Sequence, residues 1–172
     1  MFAEGSLLPF FQWCEASLVG EAIRQSPWAF AVIESIHLLA LAVIGGAVLV
    51  VDLRMLGLGL RRQPIAAVAR EAQPWMIGSL VVMIVSGVAL FLSESIKCYY
   101  SRMFWVKMTC LALAILFTFT IRRKVTRLDE MRVRPVWFKV VALVSLCLWF
   151  GVGASGRWIG FSADVPAAPL LS

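Results

Sequence analysis

Four runs of this 172-residue chain are long and apolar enough to cross a bilayer. A helix needs about 20 mainly apolar residues for that. The runs are Trp28–Val51, with helix expected to continue toward Leu60, then Trp75–Leu92, Met103–Ile121 and Val136–Val152. None shows the period-two alternation of a barrel strand, and hydrocarbon leaves no other way to satisfy a spanning backbone than a helix. The expected fold class is therefore an all-α integral membrane protein, a four-transmembrane-helix bundle. Composition agrees, with 61% hydrophobic and 15% charged residues against roughly 45–50% and about 25% in soluble domains.

The loops orient the bundle. Arg61, Arg62 and Arg70 follow the first run, and Arg122, Arg123, Lys124, Arg127, Arg132 and Arg134 follow the third, against Asp129 and Glu130 alone. Positive residues mark the cytoplasmic side. The prediction is a multi-pass protein with the first and third loops inside and both termini outside, which in a bacterium is the periplasm. The net charge of +6 is thus a topology signal, and basic residues gathered mainly in short loops rather than on a groove or stripe argue against nucleic-acid binding. Trp28, Tyr99, Tyr100, Phe104, Trp105 and Trp158 form one interfacial belt, while Trp75 and Trp137 mark the other. MFAEGS has no basic n-region, so no cleavable signal peptide is expected.

Three regions follow: a periplasmic amphipathic helix in 1–27, the four-helix domain over 28–158, and a loose periplasmic tail over 159–172. LLPFFQWCEASLVGEAIRQ, residues 7–25, reads as one interfacial helix, with Ser6 as N-cap candidate, Pro9 in the first turn and Ser26-Pro27 as its stop. It lies on the membrane surface or forms a lid over a site that opens outward. IAAVAREA reads as a short interfacial helix at the opposite side. Cys14 and Cys98 share the predicted outer face, where a disulfide is permitted. Cys110 and Cys147 fall within spans, as small core residues.

The chain's single histidine lies within ESIHLLALAVIGG. His37 is nine residues into its span, roughly 13 Å deep at 1.5 Å per residue. Ionisable residues at that depth are costly and default to functional candidates. Glu34 is one turn nearer the outside, and Gly45 shares the same broad face. Four roles fit. A haem ligand is one: Ser86 and Gly87 lie at the depth of His37, Met83 or Met108 offers a thioether, and Lys107, Arg157, Tyr99 and Tyr100 offer donors to propionates. The others are a proton or metal relay through Glu34 and His37, half of a Glu-x-x-His dimetal site, and a histidine that only hydrogen-bonds between helices.

Asp52, Arg54 and Lys139 near the span ends read as a packing ion pair or snorkelling groups. Gly151, Gly153 and Gly156 serve either close helix contact or a cofactor edge beside Arg157. No phosphate loop, nucleophile elbow or HExxH occurs, so no catalytic set is assigned.

IHLLALAVIGGAVLVVDLRMLGLGLRRQP, followed by PWMIGSLVVMIVSGVALFLSESIKCYY and FWVKM, resembles a family of small four-span bacterial inner-membrane proteins that carries no settled activity. His37 with Gly45 and Gly46 is also similar to the first-helix segment of the copper-resistance protein D family and the HemJ-type protoporphyrinogen oxidases. The HemJ-type likeness implies haem b. The absence of a second histidine departs from bis-histidine ligation within one protomer. With the resemblance included, the expectation is a small b-type cytochrome with His37 as axial ligand, forming a homo-oligomer and exchanging electrons with a quinone or a periplasmic redox partner. The competing readings are the Glu34/His37 relay and a cofactor-free anchor for a periplasmic partner.

Overall fold

A computed structural model describes residues 7–60, 62–127 and 135–159, and all its regular structure is helical. Two short helices, α1 (Leu8–Glu15) and α2 (Leu18–Gln25), precede α3 (Ala29–Leu56) and α4 (Ile65–Ser93). A single turn-and-a-half, α5 (Ser95–Tyr100), leads into α6 (Arg102–Phe117). A π-helical turn over Thr118–Arg122 joins α6 to α7 (Arg123–Thr126), and α8 (Pro135–Ile159) completes the bundle. The four long elements, α3, α4, Arg102–Thr126 and α8, are each long and apolar enough to cross a membrane.

The ends follow local chemistry. Gly57 stops α3 by taking a left-handed conformation at φ 77°, and the Leu58 N–H closes back on the Leu53 carbonyl at 2.9 Å. That is the helix stop only a residue without Cβ adopts freely. Helix α4 starts well before the expected Trp75, because IAAVAREA is continuous with the span and Pro74 lies inside the helix. Proline withholds the N–H that the Arg70 carbonyl would otherwise receive.

The N-terminal region is two helices, not the one expected. The Ser17 hydroxyl accepts the Gly20 N–H at 3.2 Å and starts a second helix there. Both are docked on the bundle end. Phe11, 5% exposed, packs with ring centroids 5.4 Å from Phe91 and 5.2 Å from Tyr99. Arg24 donates to the Ser93 carbonyl at 3.1 Å and the Glu15 carbonyl at 2.6 Å, and the Glu15 carboxylate accepts the Ile96 N–H at 2.6 Å. Gly20 runs against the Leu92 carbonyl, where a Cβ would overlap the oxygen. This is a cap on the bundle end rather than a free interfacial helix. Ser6 and the tail from residue 160 lie outside the described residues.

Within the bundle α3 packs chiefly on α4, α6 on α8, and α3 meets α8. One core layer gathers Ile44, Val48, Met83, Ala114 and Trp149, and a second gathers Val51, Met55, Val68, Phe138 and Ala142. Small residues let the backbones approach. The Cys110 sulfur would lie 3.3 Å from a Cβ on Gly151, and the Lys107 stem 3.6 Å from one on Gly156. Those two glycines serve close contact; a Cβ on Gly153 would meet nothing within 4 Å.

Candidate functional site

Among the described residues the buried His, Asp and Arg side chains lie at two places, His37 and the Asp52–Arg122 pair. The first is built around His37. Apolar neighbours set its helix, and the i, i+3, i+7 spacing of His37, Ala40 and Ile44 turns all three into the bundle, where each is buried. Ser86 on α4 meets the ring, with Nδ1 to Oγ at 2.9 Å. The Ser86 hydroxyl also lies 2.6 Å from the Val82 carbonyl, which can only accept. A hydroxyl has one proton. With that proton on the Val82 carbonyl, Ser86 accepts from His37, so Nδ1 carries the hydrogen and Nε2 keeps its lone pair. This is the tautomer of an imidazole that ligates through Nε2.

Gly87 supplies clearance for the ring: a Cβ there would stand 3.1 Å from His37 Cε1. Met83 is 4% exposed in the adjacent core layer, and its backbone also lies against the imidazole. Lys107 is near enough for its charge to act on His37. His37, Met83, Ser86 and Gly87 are therefore brought together, with Lys107 within electrostatic range.

Other expected members are elsewhere. Glu34 stands on the exposed face of α3, and no hydrogen bond joins it to His37. Met108 is 44% exposed on α6 and points out of the bundle. Gly45 and Gly46 have open space where a Cβ would be. Tyr99 is part of the aromatic cap with Phe11, while Tyr100 and Arg157 lie exposed at the same end of the bundle. Cys14 and Cys98 are free thiols, so the disulfide that their shared face permitted is not formed. Burial, with Glu94 nearby, pushes the Cys98 thiol up to about 11.

The second locus was missed as such. Asp52, fully buried, accepts from Arg122 Nε at 3.0 Å. The same guanidinium donates to the Val48 carbonyl at 3.3 Å and reaches the Met76 sulfur at 3.7 Å. Arg122 looked like a loop residue; it is 5% exposed, held inside by the π-helical turn. Extra residues in such turns re-aim side chains. Asp52 and Arg54 are thus not partners: Arg54 Nε donates to the Gln63 carbonyl at 2.6 Å. Ser145, fully buried on α8, lies close to the Asp52 carboxylate. The signal for Arg122 was Asp52 itself, since a carboxylate inside a span demands a cation from another helix.

One imidazole cannot hold a bare metal ion, and among the described residues no group of three His, Cys, Asp or Glu comes together. One imidazole is enough as axial ligand to a macrocycle that brings four nitrogens of its own. On its donor chemistry and tautomer, His37 fits that role, and the buried Met83 of α4 is the candidate thioether; Met108 of the same chain, turned outward, does not fit.

The chain belongs to a family of unknown function (DUF6644), whose sequence profile matches residues 10–162. No curated protein and no solved structure matches it.

Proposed function

We propose that this member of a family without an assigned activity is a membrane-embedded b-type haem protein, a small cytochrome b with an electron-transfer or quinone-linked role. The carrying observation is the His37–Ser86 pair, which leaves Nε2 of a buried imidazole with its lone pair. His37 would be the axial ligand and Met83 the neighbouring thioether. Lys107, with Tyr99, Tyr100 and Arg157 toward the same end, would meet the propionates. Haem bound there supplies one-electron chemistry. The chain's residues fix the ring, exclude water through the Phe11 aromatic cap, and offset carboxylate charge.

The outward faces of α3 around Glu34 and of α6 around Met108 favour a homo-oligomer, with lipid over the remainder. Exposed Arg70, Arg123, Lys124 and Arg127 gather at the end opposite the cap, which supports an inner-membrane orientation with that end in the cytoplasm and both termini in the periplasm. The alternative of a Glu34/His37 relay is less favoured, since Glu34 lies on the exposed face of α3 and the His37 ring bonds Ser86 instead.

The test is an optical spectrum of detergent-purified protein, air-oxidised and dithionite-reduced, for wild type, His37→Ala and Met83→Ala, with a thermal melt of each. A Soret band and a reduced α-band that vanish in His37→Ala, while the melt shows a folded protein, support the reading. A colourless wild type expressed with ample haem overturns it.

A further inference from the structure

At the opposite end of the bundle from His37, a cavity of about 290 Å³ opens between α4 and the π-helical turn with α7. The two places are far apart: Gln73 and Ser86 are 13 residues apart on one helix, roughly 20 Å at 1.5 Å per residue. Helix α4 presents Arg70 and Gln73 to the cavity; the turn and α7 present Arg122, Arg123 and Arg127. No carboxylate among the described residues lines it. Arg122 is neutralised by Asp52, and it forms the cavity's buried back. Arg70, Arg123 and Arg127 have no acidic partner among the described residues. Three guanidinium groups with no carboxylate partner among the described residues therefore face one small space. Met76 and Phe119 give that space an apolar side.

The spacing explains how the sequence builds it. Arg70 and Gln73 are one turn apart on α4, and Arg123 and Arg127 are one turn apart on the other wall. The π-helical turn carries the extra residue that puts Arg122 inside while Arg123 and Arg127 stay at the mouth.

We propose that this cavity is a binding site for a phosphate group, presented by an anionic lipid headgroup or by a soluble phosphate compound. Planar guanidinium forks match phosphate oxygens in pairs, which is why arginine rather than lysine suits such a site. The apolar side favours a phosphate that carries an organic substituent. The site stands independently of the haem reading, because none of its residues touches His37.

The test uses the full chain in neutral detergent, followed by native mass spectrometry with phosphatidylglycerol, with phosphatidylcholine, and with inorganic phosphate or glycerol phosphate as competitors. The variant is Arg70→Gln/Arg123→Gln, both exposed positions; the control is Arg62→Gln/Lys124→Gln, the same charge loss outside the cavity. Wild type and control are expected to retain phosphatidylglycerol over phosphatidylcholine. The cavity variant should bind about 30-fold more weakly, roughly fivefold for each basic residue removed. Binding unaffected by soluble phosphate assigns the source as lipid; displacement by glycerol phosphate assigns a soluble ligand. Equal retention of both lipids with no soluble phosphate bound, or equal losses in variant and control, overturns the proposal.

Discussion

Asp52 Oδ1 and Arg122 Nε meet at 3.0 Å across 70 residues of sequence, and both side chains are buried. The pair joins the first span to the third where α6 gives way to the π-helical turn. Removing one partner leaves a buried charge uncompensated, which costs about 3–5 kcal/mol. Arg122→Met or Asp52→Leu alone should therefore lower the melting temperature sharply in detergent. The double variant should recover most of it, since an apolar pair of similar volume replaces both charges. Melts equal for the singles and the double would mean the pair is not coupled.

Ser86 fixes the His37 tautomer, so Ser86→Ala frees the ring to rotate and exchange its proton. On the haem reading this weakens haem binding by about 10–100-fold. Gly87→Val puts methyl groups where His37 Cε1 now packs and should weaken it further. Haem titration into purified apoprotein, read at the Soret band, measures both. An unchanged Ser86→Ala titration would remove Ser86 from the site.

Gly20→Ala places a methyl against the Leu92 carbonyl oxygen, a backbone atom that cannot swing aside. Overpacking of this kind costs about 1–3 kcal/mol. Helix α2 should lift from α4, and Arg24 should lose its hold on the Ser93 carbonyl. Trypsin cleavage after Arg24 is expected to accelerate about tenfold, while α3 to α8 stay protected. Cleavage at the wild-type rate would show that α2 does not depend on this approach.

Cys98 should be a slow nucleophile. Its thiol is pushed up to about 11 by burial and the neighbouring Glu94. A raised thiol pKa means the protonated form persists as pH rises, so at pH 8 only about one molecule in a thousand is thiolate. In a variant retaining Cys98 alone, maleimide labelling should climb about tenfold per pH unit from 8 to 10, and unfolding in SDS should accelerate it at pH 8. Fast labelling of the folded protein at pH 7 would contradict the burial of this thiol.

Some of this was legible because the bilayer imposes it. An apolar run of span length has one way to satisfy its backbone, so the four helices and their order could be read without tertiary knowledge. His37 could be read as buried and Ser86-Gly87 as its neighbours in depth, because rise per residue converts sequence into depth. Direction around the helix was less secure. Glu34 lies only about 60° from His37 by periodicity and yet faces outward, because the apolar interior of a bundle admits a narrow arc. Met108 failed for the same reason: depth was right and azimuth was set by how α6 packs on α8.

The sequence by itself determined the all-helical membrane fold, the placement of its one imidazole within a span, and the gathering of basic residues at one end. Each follows from solvent and local periodicity. Only the tertiary structure decided which polar groups meet. Arg122 became the partner of Asp52 because a π-helical turn rotated it inward, and residues 7–25 became a docked cap because Ser17 starts a second helix and Gly20 lets it touch α4. Pairings of this kind depend on the rotation of one helix against another, which is fixed by packing across the whole bundle.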